Sequence, residues 1–242
     1  EIIRRVQLVM ITFSAVMIGY ADYYELSAIV SSWVHHIMFR RCSFAVFNFV
    51  YVHLTTLKAA NRTMRLPAAV CQELISMILL APLLFSNVAA TICSTIYATD
   101  ATLEKGSIVS AQPDVEDLAL YFTRAPRRGG PTWLQELSAP NLPEQWNEST
   151  AADDLLIRDM VCSTQFNLVV NYSFTHVVHV NLQETHVIKT LFRRLGKDPQ
   201  YWDSRVIVFV DSKVARGAVM RGRSSSRKVN GILKRMLPYL LP

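Results

Sequence analysis

Residues 94–111 read STIYATDATLEKGSIVSA, two short apolar runs on either side of a polar segment that contains a glycine. Such a pattern predicts paired strands, with a turn around Glu104, Lys105 and Gly106. The first of these strands delivers a carboxylate, Asp100, at its end. Two further acids stand in equally costly places. In a helix predicted from about Leu182 to Leu195, Glu184, Ile188, Leu191 and Leu195 recur at helical spacing, so Glu184 lies on the apolar stripe that faces a sheet. Asp211 ends the apolar run VIVFV (206–210), which reads as a short strand buried on both faces. A carboxylate in such a place costs free energy unless something compensates it. Three together, in the order strand, helix, strand, make a hard-cation site suited to Mg2+ or Mn2+, and two such ions can clamp the attacking and leaving oxygens of a phosphodiester.

On either side of the hairpin the organisation changes twice. From Ile2 to about Leu57 apolar residues dominate at helical spacing, which predicts packed helices. A helix is predicted between Pro67 and Pro82, the first proline suiting a helix start and the second its end. Residues 112–170 hold five prolines, the pair Gly129-Gly130 and nine of the nineteen acids, and are expected to form a long irregular insertion. FNLVVNYSF (166–174) and THVVHVN (175–181) both read as strands. His176 and His179 would then point to opposite faces and make a poor metal pair. SSSRKVNGILKRML (224–237) reads as a serine-capped amphipathic helix.

Charge and composition narrow the function classes. The chain has 242 residues, 51% hydrophobic and 18% charged, which is too apolar for disorder. Its net charge of +6 is unevenly spread: residues 100–180 carry eleven acids against five bases, whereas 181–242 carry thirteen bases against four acids. The basic end contains Arg221, Arg223, Ser224, Ser225, Arg227 and Lys228, cations interleaved with hydroxyls at a helix start, and this loop is expected to contact a nucleic-acid backbone. Four scattered cysteines with no C-x-x-C pair suggest neither a zinc site nor a disulfide framework and favour an intracellular setting, cytoplasm or nucleus. No phosphate-cradling glycine motif is present, which argues against nucleotide-cofactor chemistry, and no triad spacing surrounds the serine run. The uncharged stretch 74–99 is long enough for a membrane span, but Pro82 and the Ser86-Asn87 pair break it into helix, turn and strand, so no membrane association is expected.

The three acid-bearing segments together resemble a known family. STIYATDATLEKGSIVSA resembles the opening hairpin of the ribonuclease H fold, HVNLQETHVIKTLFRRL (179–195) its first helix with the catalytic glutamate, and VIVFVDSKVARGAV (206–219) its fourth strand and following helix. The match is with the ribonuclease H-like domain of retrotransposon reverse transcriptases. LPAAVCQELISMILLAPLL (66–84) resembles the lead-in to the first acid, and residues 25–54 resemble thumb or connection helices. The resemblance implies an α/β fold, a ribonuclease H-like mixed sheet with flanking helices over 66–242, preceded by an all-helical thumb-like segment over 1–65. It further implies a fragment of a polyprotein whose polymerase portion is a partner. The activity implied is hydrolysis of the RNA strand of RNA–DNA hybrids by Asp100, Glu184 and Asp211 holding two Mg2+ or Mn2+ ions.

Two other readings follow from the same residues. No acid occurs after Asp211, so the fourth carboxylate that the family places in a later helix has no candidate. A domain of this kind could bind nucleic acid without cutting it. A small helical membrane protein with spans over 6–21 and 74–99 is the remaining alternative.

Overall fold

The computed structural model describes residues 2–124, 161–176 and 178–241. It is mixed α/β and divides into two compact units, one of 1–88 with 219–241 and one of 89–218. A boundary between residues 65 and 66 therefore does not describe the division. The helix predicted before Pro82 and the C-terminal helix both join the N-terminal helices. Among the described residues no helix is long and apolar enough to cross a membrane.

The helical unit contains α1 (Ile2–Ile18), β1 (Tyr20–Ala21), α2 (Tyr23–Ile37), α3 (Phe49–Ala60), β2 (Met64–Arg65) and α4 (Ala68–Leu80). Asp22 starts α2 with a capping box: its carboxylate accepts from the Glu25 amide at 2.8 Å, and Glu25 accepts from the Asp22 amide at 3.1 Å. Trp33, Phe47, Leu57, Leu74 and Met77 fill the core, joined by Leu237 and Leu241 from the far end of the chain. The α3 helix is capped from a neighbouring helix. The buried carboxylate of Glu73, on α4, accepts from the amides of Asn48, Phe49 and Val50 at 2.9–3.0 Å, so three of the helix's opening donors are satisfied by a side chain more than twenty residues away.

The second unit is built on a four-stranded sheet. Its strands are β4 (Ile96–Ala101), β5 (Lys105–Ala111), β6 (Asn167–Ser173) and β8 (Val208–Val210), in the spatial order β6-β5-β4-β8. The strand β5 is antiparallel to both of its neighbours, β4 and β6, and β8 runs parallel to β4. A separate two-residue parallel pair joins β3 (Thr91–Ile92) to β7 (Ser204–Arg205). Period-two alternation along β4 feeds two layers: Tyr97 and Ala101 pack on α6 (Val180–Leu195), and Ile96 packs with Tyr121 of α5 (Val115–Arg124). Gly106 on β5 lets α6 approach, because a Cβ there would lie 2.6 Å from Val187 Cγ2.

Several sequence expectations change here. The hairpin forms, but β5 already begins at Lys105, so the turn falls earlier than expected. The described residues of THVVHVN form no strand: His179 caps α6, its Nδ1 accepting from the Asn181 amide at 3.3 Å. The expected irregular insertion over 112–170 contains α5 and the first residues of β6, while 125–160 lies outside the described residues. The run 206–210 yields a strand of three half-buried residues, because β8 lies at an edge of the sheet and pairs only with β4 among the described residues.

After β8 come α7 (Lys213–Arg221) and α8 (Arg227–Leu240), which returns to the helical unit. Gly222 between them has φ +68°, and a Cβ there would lie 1.8 Å from the Arg41 carbonyl oxygen. Gly222→Ala combines left-handed strain with a collision against backbone, and is expected to destabilise the helical unit by about 2 kcal/mol. Chemical denaturation of the full chain measures it, and an unchanged midpoint would refute that account.

Candidate metal centre

All three acids singled out in the sequence come together. Asp100 is carried by β4 one residue before its end, Glu184 by the first turns of α6, and Asp211 follows directly on β8. One carboxylate oxygen from each lies within 4.8 Å of the other two. Asp100 and Asp211 are exposed, whereas Glu184 is 3% exposed. The sheet explains the convergence. Because β4 and β8 are parallel neighbours, their carboxyl ends lie side by side, and the apolar stripe of α6 holds Glu184 against that end.

Glu184 is the least comfortable of the three. Its Oε1 accepts from the Ala101 amide at 3.3 Å, and its buried Oε2 has no hydrogen-bond partner. Burial first, and then the charges of Asp211 and Asp100, push its carboxyl up to about 7, while the Ala101 amide pulls the other way. Three hard oxygen donors gathered in this way, beside a buried carboxylate oxygen without a hydrogen-bond partner, could hold a metal ion. No acid follows Asp211 in the chain, so α7 and α8 add no carboxylate.

The residue before Glu184 escaped the sequence reading. Gln183 is fully buried, and its Nε2 donates to the Leu103 carbonyl in the β4–β5 turn. Consecutive residues of α6 therefore hold the segment that follows Asp100, one through the Ala101 amide and one through the Leu103 carbonyl. Beside them, Thr99 Oγ1 and Gln183 Oε1 are buried without hydrogen-bond partners. The only signal in the sequence is a polar residue adjoining Glu184 in a helix whose other buried side chains, Thr185 apart, are apolar.

The whole basic loop, Arg221 included, belongs to the other unit, the division falling between residues 218 and 219 within α7. The Arg223 guanidinium lies 4.2 Å from the centre of the Tyr51 ring, and that of Arg227 lies 5.6 Å from the Phe49 ring. Ser226 caps α8, and the Ser224 amide donates to Asn230 Oδ1 at 3.2 Å. Ser225 and Lys228 are exposed, and Arg221 is half-buried. Part of the loop is thus committed to holding α8 in place, which charge counting alone does not reveal. No protein-family model, no curated protein and no solved structure matches the chain.

Proposed function

We propose that the α/β unit is a divalent-metal-dependent nuclease of ribonuclease H type, from a retroelement reverse transcriptase, that hydrolyses the RNA strand of RNA–DNA hybrids. The observation that carries this reading is the convergence of Asp100, Glu184 and Asp211 from a strand end, a helix and a second strand end. Support also comes from the order of elements. The hairpin that bears the first acid is β4–β5, the helix that bears the second is α6, and the strand before the third, β8, is the fourth of its sheet in chain order.

In this reading Asp100 and Asp211 present charged oxygens to solvent, where a phosphodiester can approach, and Glu184 anchors the site from beneath. Glu184 must give up its proton to bind a cation, so loading favours neutral or higher pH. A bound divalent ion supplies a water of lowered pKa and stabilises charge on the phosphate. In the helical unit, the loop from Arg221 to Lys228 offers phosphate contacts of its own through exposed Arg223, Arg227 and Lys228, contacts that hold a strand without reading its bases.

The test is cleavage of an end-labelled RNA–DNA hybrid by the purified chain in Mg2+ or Mn2+. The expected result is fragmentation of the RNA strand only, abolished by EDTA, with a DNA duplex left intact. Hybrid binding that weakens as salt rises, without any cleavage, would overturn the nuclease and favour a domain that binds nucleic acid without cutting it.

A further inference from the structure

The α1 helix buries only Leu8 and Thr12, yet most of its other side chains are apolar. On its outer side, Ile3, Val6, Met10, Phe13 and Met17 are 74%, 55%, 59%, 49% and 69% exposed. Their spacing alternates three and four residues, the 3.5-residue repeat of a coiled-coil seam rather than the broader stripe that seats a helix on its own core. The inner stripe has already met that second need through Leu8 and Thr12. The outer seam is uncharged, and so are its flanking residues Ile2, Gln7 and Ser14.

We propose that this seam is a self-association surface, through which two copies of the chain pair along α1. The area is sufficient: the five side chains expose on the order of 600 Å2 per copy, so pairing buries about 1,200 Å2 in total, the lower edge of what specific dimers use. Ile2, Ile11 and Ile18, all more than half exposed, widen the strip on either side. A two-fold axis across the helix makes the interface isologous and runs the two copies antiparallel. That orientation opposes the helix dipoles and places the exposed Arg4 of each copy at opposite ends. With no charge in the seam, self-pairing meets no repulsion, and helices that lack the same 3.5-residue spacing gain less from it.

The experiment is sedimentation equilibrium of the full chain from about 1 to about 100 µM, a range over which mass action reveals a reversible dimer. The expected mass rises to twice 27.4 kDa. Met10→Glu with Phe13→Glu should remain at the monomer mass with unchanged far-ultraviolet circular dichroism. Ile3→Gln with Met17→Gln, milder and at the ends of the seam, should weaken association at least tenfold. A wild-type chain of monomer mass throughout, or a dimer that survives both pairs of substitutions, would overturn the proposal. A monomer that instead sediments with phosphatidylcholine vesicles would assign the seam to a lipid surface and overturn it equally.

Discussion

Asp211→Asn is expected to remove metal-dependent cleavage, by at least about 100-fold, since even groups that only support metal ligands cost about 10- to 100-fold when lost. The same substitution should make the metal-free protein more stable. Asp211 is the larger of the two neighbouring charges that raise the Glu184 carboxyl, second only to burial. With the folded value near 7 against an ordinary 4.5, the folded chain keeps a proton through this window that the unfolded chain releases. Stability therefore falls as pH rises from 4.5 to 7, by about 3 kcal/mol at most, and the loss is complete above 7. Neutralising Asp211 lowers the Glu184 value and recovers about 1 kcal/mol of that loss at pH 8. Thermal unfolding at pH 5 and pH 8 in EDTA checks the sign. Added Mn2+ should raise the wild-type midpoint and leave that of Asp211→Asn unmoved. Equal metal response in both proteins would exclude Asp211 as a ligand.

Glu73→Ala is expected to cost the helical unit about 4 kcal/mol, because it strands three amides at the start of α3 and leaves a void where the carboxylate sat. Glu73→Gln keeps one acceptor oxygen but loses the charge that faces the helix dipole, and should cost about 2 kcal/mol. The Lys234 ammonium, 3.6 Å from Glu73 Oε1, is 39% exposed and contributes little by comparison. Lys234→Met should therefore change stability by less than about 1 kcal/mol. Urea unfolding followed by tryptophan fluorescence reports on this unit through the buried Trp33. A Glu73→Ala midpoint equal to wild type would refute the capping role.

Glu73 also marks where reading the sequence stops. In the chain it is a lone acid at the edge of a long uncharged run, and nothing local distinguishes it from a solvated helix residue. Its meaning lies in amides 23–25 positions earlier, a relation that only tertiary packing creates. Glu184 was legible for the opposite reason. Its neighbours at helical spacing are apolar, so the face it occupies follows from the sequence alone. Asp100 and Asp211 were legible as the ends of apolar runs. THVVHVN misled because β-branched residues and a helix cap can share a short segment, and His179 shows its capping role only once α6 is seen to start there. The return of α8 to the N-terminal helices was invisible, since it depends on contacts such as Asn230 Nδ2 to the Ala45 carbonyl, 2.9 Å apart across most of the chain.

That return also constrains the order in which the molecule can be completed during translation. The helical unit takes its last core residues, Leu237 and Leu241, from the end of the described chain, after all of 89–218 has been synthesised. Until then the nascent helices expose the apolar surface that α8 will cover, while the α/β unit has all its strands and can fold first. The later-numbered half of the protein thus has the means to mature before the earlier one. A chain that has emerged as far as α7 but lacks α8 would have a complete sheet and an unfinished bundle, the state in which a chaperone would have most to bind.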